Sequence, residues 1–440
     1  MRALALCLAA LLAGALPVLA AEPWTLERAL GHALTNSPDA QMARARIAAA
    51  RAGLDQANSA VWPRLQFQSS YLRTDNPMQV FGSILNQQAY SPALDFNDVP
   101  DVDNLNVKGL ATLPLYTGGK IRAARQAARA QTEAARSDSD AVRNALGFEV
   151  ARAFHTILKT REFIRAAEAS VAAFESALAT ARKRLEGGAL LKSELLDIEV
   201  RLAQAREDLV RARNAKVLAE RALRNLLGLE SGLFEVADHP PAVSVPQTDD
   251  FSGRPELEAA LQRERAAEEQ VRGARAGHLP KLSAFGSLDY DHGWRSDSGA
   301  GSYTAGALLQ WDLWDGNLTR AKVREAAANL ELAREQRRKT RLALALEADQ
   351  ARLELQTAAE RLRGSETAVA QAAESASLTR ARFDQGLALA TQLIDAETAL
   401  LAAKVRRAEA EADQRIATAA LRKALGLPQL DSNLTGFAQP

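Results

Sequence analysis

The period of the apolar positions changes along this chain, and each change marks an element. Over 64–73, Leu65, Phe67 and Tyr71 fall on one side and Gln66, Gln68 and Ser70 on the other. A period of two predicts a strand with one apolar and one polar face. A second strand is predicted over 105–116, with Val107, Ala111, Leu113 and Leu115 together. Two more come late. Leu282, Ala284, Leu288 and Tyr290 share a side over 281–291. Over 303–314, Tyr303, Ala305, Ala307, Leu309, Trp311 and Leu313 oppose Thr304, Gln310 and Asp312.

The remaining chain reads mainly as helix. From Lys120 to Glu186 there is no proline, and Gly147 is the only glycine. At 1.5 Å per residue that predicts a helix of about 100 Å. Gly187-Gly188 then turns the chain, and 192–228 predicts a returning helix of about 55 Å. The helix predicted over 38–60 adds about 35 Å, so the two shorter helices are expected to stack end to end beside the long one. A short amphipathic helix is predicted over 24–36, capped by Thr25 with Glu27 in its first turn. The stretch 74–104, rich in Asn, Asp and Pro, predicts a long exposed loop.

The pattern occurs twice. Shifted by 198 positions, Ala181–Glu199 meets Thr379–Glu397 with seven of nineteen residues identical, among them Arg182/Arg380, Arg184/Arg382, Gly188/Gly386, Asp197/Asp395 and Glu199/Glu397. Ala219–Leu229 meets Ala417–Leu427 with seven of eleven identical. A chain that repeats such a hairpin is built from two equal halves. The organisation expected is a first half over 21–235, a Pro-containing linker over 236–253, a second half over 254–428 and a polar tail over 429–440. The earlier strand pair encloses a loop nineteen residues longer than the later one.

The first twenty residues predict a secretory signal: Arg2, an apolar run over 3–16 too short to span a bilayer, and the small-residue site Val18-Leu19-Ala20. Cys7, the only cysteine, lies in that segment. The mature chain is therefore expected to carry no disulfide, no thiol nucleophile, no cysteine-borne lipid and no transmembrane helix. Aromatic residues make up only 5% of the chain and the net charge is +1. Alanine and leucine carry the apolar share, which suits bundled helices. Near-neutral charge excludes a large basic field for nucleic acid. The five histidines are scattered without metal-ligand spacing. No nucleophile–base pair or phosphate loop is present, so no enzyme activity, metal or cofactor is expected.

Four strands leave open edges, and a sheet within a membrane must be closed. Their outward faces are apolar and the chain is exported, so closure calls for several copies. Three copies supply twelve strands, enough to leave a wet lumen. Trp62, Trp311 and Trp314 fall where strand meets helix, the level expected of an aromatic girdle in contact with membrane lipid. The fold class expected is mostly α with a small membrane β-barrel portion.

From Trp24 to Leu427 the chain resembles the TolC-like outer-membrane efflux protein family. The resemblance rests on Pro63 before the first strand, Pro114-Leu115-Tyr116-Thr117-Gly118-Gly119 and Leu313-Trp314-Asp315-Gly316 at strand exits, and Arg382-Phe383-Asp384-Gln385-Gly386 at a helix end. Leu393-Ile394-Asp395-Ala396-Glu397 and Leu421-Arg422-Lys423-Ala424-Leu425-Gly426 complete it. It implies a homotrimer, with a twelve-stranded barrel in the outer membrane of a Gram-negative bacterium and an α-helical tunnel in the periplasm. It also implies two partners, a periplasmic adaptor and an inner-membrane transporter.

Gly188 and Gly386 read first as helix stops. The resemblance implies that the tips Gly187, Gly188 and Ala189, and Gly386, Leu387 and Ala388, touch the adaptor. Asp197 and Asp395 suit the first turns of helices, with Ser193 or Thr391 as caps. The resemblance implies that Asp395 also forms a constriction ring at the tunnel mouth. The family's second aspartate of that ring is Gln392 here, and a basic gate residue two positions after the glycine is Ala388, which thins the charged gate. The function expected is a passive exit duct for small molecules, driven by the partner pump. The alternatives are the outer-membrane component of a type I protein secretion system and a soluble periplasmic adaptor or coiled-coil scaffold.

Overall fold

The computed structural model describes residues 23–95, 97–231 and 234–431. The predicted signal segment, Cys7 within it, and residues 432–440 of the predicted tail lie outside the described residues. Two helices open the chain, α1 (Leu26–Asn36) and α2 (Pro38–Ser59). Next come β1 (Arg64–Thr74), α3 (Pro77–Asn86), β2 (Val102–Tyr116), α4 (Lys120–Glu186) and α5 (Lys192–Leu227). After the linker come α6 (Pro255–Arg275), β3 (Lys281–Gly293), β4 (Ser298–Gln310), α7 (Leu318–Asp384) and α8 (Ala390–Ala424). The long helices α4 and α7 have 67 residues each. Among the described residues no helix is long and apolar enough to cross a membrane.

The chain divides into two compact units. One comprises the described residues within 1–42, 142–252 and 344–440. Its first core forms where α1, α4 and α5 meet. Thr25 Oγ1 accepts the Arg28 N–H at 3.2 Å and caps α1, as its position in the sequence predicts. Leu26, Ala29, Leu30 and Ala33 of α1 then bury against Val150, Phe154 and Ile157 of α4 and Leu223 and Leu227 of α5. Full burial of a large apolar side chain contributes roughly 1.5–3 kcal/mol, so these contacts outweigh the weak preference of a short isolated helix. Gly228 ends α5 with φ +71°, and a Cβ there would lie 3.1 Å from Pro38 Cδ. The end of α5 thus meets the start of α2, as the helix lengths predict. The buried Arg422 ties linker to C-terminal segment, donating to Ser244 O at 2.9 Å, Pro428 O at 2.7 Å and Asp431 Oδ1 at 2.8 Å.

The other unit comprises 43–141 and 253–343 and holds one antiparallel sheet in the order β1-β2-β3-β4. Two expectations need correction here. The fourth strand is not 303–314 but 298–310. Its last pair is Lys281↔Gln310, where β3 begins, so residues beyond 310 have no neighbour to pair with. Trp311 turns away and its indole N–H donates to His278 O at 3.1 Å. The predicted loop 74–104 contains α3. Asn76 Oδ1 accepts the N–H of Met78 at 3.1 Å, Pro77 occupies the first helical position, and Val80 and Ile84 bury against Val102. Asn-Pro reads as a turn, yet it is equally a cap followed by the one residue that needs no N–H donor partner there.

Candidate functional site: a two-faced sheet and the hairpin tips

Cross-strand register assigns every strand residue to a face, because directly opposed residues point the same way. Phe67 pairs with Gly109, Gly109 with Leu288, and Leu288 with Tyr303. The same face carries Leu65, Tyr71, Leu105, Val107, Ala111, Tyr290, Ala305, Ala307 and Leu309. Of the large side chains, Leu65, Phe67, Leu288, Tyr303 and Leu309 are well exposed. This face is apolar across four strands, and among the described residues nothing covers it.

The opposite face is polar. Its middle row runs Gln68↔Lys108↔Asp289↔Ser302. Lys108 Nζ lies 3.3 Å from Asp289. Asp291 Oδ1 accepts from Asn104 Nδ2 at 2.6 Å and Asn106 Nδ2 at 3.0 Å. Hydrocarbon on one side and water on the other is the environment that matches such a sheet. Among the described residues β1 and β4 each pair on one side only, so both edges present unpaired backbone groups.

Exposed aromatics mark both ends of the apolar face. Trp62 precedes β1, and Trp311 and Trp314 follow β4, all at the ends of the strands that lead into helices. At the other ends Tyr71 and Trp294 lie 5.6 Å apart, with His292 at 5.5 Å from Trp294. Sequence reading missed this second band, although Trp294 follows the period-two run of β3 directly. The eleven residues of β1 span about 35 Å along the strand. At a tilt of about 40° that is close to the ~25 Å apolar band of an outer-membrane barrel.

The hairpin tips belong to the other unit. α4 ends in Gly188 with φ +70°, and α7 in Gly386 with φ +82°. Ala189 N–H donates to Arg184 O at 2.8 Å, and Leu387 N–H to Arg382 O at the same distance, closing both helix ends through a left-handed glycine. Gly187, Gly188, Ala189, Gly386 and Leu387 are exposed and Ala388 is half-buried. Leu191 and Leu389 add two more exposed apolar side chains.

The two tips pack on each other. Phe383, fully buried, lies with Ile198, Leu202, Leu393 and Ile394 in one cluster. Arg184 Nη1 donates to Phe383 O at 2.9 Å, its Nη2 to Ala189 O at 3.1 Å, and its guanidinium stands 5.2 Å from the Phe383 ring.

Ser193 and Thr391 do not cap the returning helices. Glu194 accepts the Leu191 N–H at 3.3 Å and Gln392 Oε1 the Leu389 N–H at 3.2 Å. Glu194 also accepts the Ala390 N–H of the other hairpin at 3.4 Å. Asp395 and Asp197 are exposed on their helices. Among the described residues no group of three His, Cys, Asp or Glu side chains is placed to hold a metal ion.

Residues 29–229 and 251–427 match the sequence model of a family described as outer membrane efflux protein. The pyoverdine export outer membrane protein OpmQ of Pseudomonas putida is 24% identical over 416 residues, covering 91% of this chain and 85% of that protein. Among solved structures, a membrane protein from Pseudomonas aeruginosa superposes with a TM-score of 0.81 at 21% identity, covering 93% of this chain and 92% of its own. The outer membrane protein VceC of Vibrio cholerae gives 0.76 at 22% identity, with 91% and 96% covered.

Proposed function

The chain belongs to the outer membrane efflux protein family, which makes it an outer-membrane efflux channel, and from that membership we propose that three copies close their sheets into one twelve-stranded barrel continuous with an α-helical tunnel. The observation that carries this is the open-edged sheet with one apolar and one polar face. In hydrocarbon, unpaired edges are excluded, so β1 of one copy would pair with β4 of the next. The helices carry a matching demand. Leu196, Val200, Val210, Val217 and Leu218 are all exposed along α5, and Leu342, Leu346 and Leu353 along α7. At about 100° per residue each set falls on one helix face, a stripe that a neighbouring copy would cover.

In this reading the duct is passive, and an inner-membrane transporter, joined through a periplasmic adaptor, supplies the energy. The tips Gly187, Gly188 and Ala189, and Gly386, Leu387 and Ala388, with exposed Leu191 and Leu389 beside them, would meet the adaptor. Trp62, Trp311 and Trp314 would sit at the lipid headgroups. Three Asp395 carboxylates around a narrow mouth would favour cations, with Gln392 one turn away. The cargo is small molecules, the class to which the pyoverdine exported by the relative from Pseudomonas putida belongs.

The test is to extract the protein from outer membranes in detergent, measure its mass by native mass spectrometry and insert it into planar bilayers. A trimer that conducts ions supports the reading. A monomer without conductance overturns it.

A further inference from the structure

We propose that α3 is a lid, clasped by Gln87 over the end of the sheet farthest from the helices, that narrows the outer mouth of the channel. The inference rests on the barrel reading above. All four strands join helices at one end, near Arg64, Tyr116, Lys281 and Gln310. The opposite end carries α3 and the turn 294–297. α3 begins just after β1, at one edge of the sheet, yet it packs against β2, β3 and β4. It therefore crosses the strand ends instead of looping away from them.

The clasp shows which side of the sheet the lid covers. Gln87, the residue after α3, is completely buried. Its Nε2 donates to Asp103 O and to Asn104 Oδ1, both at 2.8 Å. Asn104 passes the chain on to Asp291, and both lie on the polar face. Ser296 Oγ donates to Gln87 Oε1 at 2.7 Å, and Ser298 Oγ to Gln87 O at 2.6 Å. A Cβ on Gly293 would collide with the Gln87 carboxamide, so β3 ends in the one residue that leaves room. Asp103 accepts the N–H groups of Trp294 at 3.2 Å and Arg295 at 3.0 Å, which holds the turn in the same knot. Asp101 binds both Arg73, at the end of β1, and Arg295.

Below the knot Val80, Ile84 and Val102 exclude water. A buried carboxamide with every polar atom engaged specifies one position for its element. A loop built to stay clear of the mouth needs no such anchor on the lumen face. In the assembled barrel, three such lids would stand over the polar lumen and limit what passes.

The experiment compares purified full-length protein with Gln87→Ala and Ser298→Ala in planar bilayers, with hydrogen exchange across 77–90. We expect exchange over α3 to accelerate and single-channel conductance to rise about twofold or more as the constriction widens. Ser298→Ala, which removes one bond from the rim of the knot, is expected to change both in the same direction by less. If α3 exchanges faster but conductance stays at the wild-type value, or if α3 keeps its protection, the lid is wrong while the channel stands. If wild-type protein forms no channel, the barrel reading fails and the lid with it.

Discussion

Arg184 and Phe383, 199 residues apart in sequence, are joined by a hydrogen bond of 2.9 Å from guanidinium to carbonyl, with the same guanidinium over the Phe383 ring. One hairpin tip is thereby fastened to the other. The counterpart of Arg184 in the second half, Arg382, is exposed and no side-chain partner holds it among the described residues. Hydrogen bonds from a charged donor contribute roughly 1.5–3 kcal/mol. Arg184→Ala is therefore expected to raise amide exchange over 383–390 by about 10- to 100-fold, and Arg382→Ala to leave it nearly unchanged. Equal effects of the two substitutions would refute the fastening.

A second inequality between the halves concerns one ion pair made twice. Arg182–Glu199 and Arg380–Glu397 are each seventeen residues apart. Glu199 remains 39% exposed, whereas Glu397 is 4% exposed. Removing Arg182 leaves a carboxylate in water, at a cost below about 1 kcal/mol. Removing Arg380 strands a buried carboxylate, and because the arginine itself is half-exposed we expect about 2 kcal/mol, short of a fully buried pair. Chemical denaturation of Arg182→Ala and Arg380→Ala, followed through α8 exchange, checks the ranking. Matching losses would mean that burial of Glu397 carries no energetic weight.

Much of this was legible in the sequence, for physical reasons that also explain what was not. A period of two cannot be mistaken for 3.6, so the facing of Phe67, Val107, Leu288 and Tyr303 was readable before any register was known. The long helices were readable because nothing between Lys120 and Glu186 could stop one. The end of β4 was not, since Trp311 and Leu313 continue the alternation past the point where β3 supplies a partner. Nor was α3, because Asn76-Pro77 is ambiguous until Val80 and Ile84 find Val102. Arg184 and Arg382 are identical in type, so sequence could not say which one crosses. In the structure it is Arg184, whose guanidinium also stands over the Phe383 ring, where the first half has Leu185.

Acid is expected to loosen the unit that contains His155. Burial, and then the charge of Arg415, lower its pKa from 6.5 to about 4. The side chain is 6% exposed and, among the described residues, its Nδ1 has no hydrogen-bond partner. Lys159, Arg161, Glu162 and Arg165 of α4, Glu411 and Arg415 of α8, and Asp238 and His239 of the linker line the adjoining cleft. The native imidazole binds its proton more weakly than the unfolded one. Stability is then unaffected above pH 6.5 and falls as pH drops from there towards 4, by up to about 3 kcal/mol. His155→Phe should flatten that part of the profile. The measurement is the urea midpoint between pH 7 and 4, and parallel slopes for variant and wild type would remove His155 as the cause.

The two faces of the sheet make opposite demands on the same substitution one residue apart. Phe67, the fourth residue of β1, lies on the apolar face opposite Gly109, and Gln68 on the polar face opposite Lys108. In the proposed barrel an arginine at position 67 would stand in hydrocarbon, at a cost of up to roughly 2–4 kcal/mol for each copy. Phe67→Arg is expected to deplete trimer from the outer membrane. Gln68→Arg places the same group in water beside Lys108, where assembly should survive. The added positive charge then repels cations from the lumen, and the reversal potential in a salt gradient should move towards anions. Membrane fractionation reads the first effect and bilayer recording the second. Normal assembly of Phe67→Arg alongside failure of Gln68→Arg would mean that lipid meets the polar face, and the barrel would have to be turned inside out.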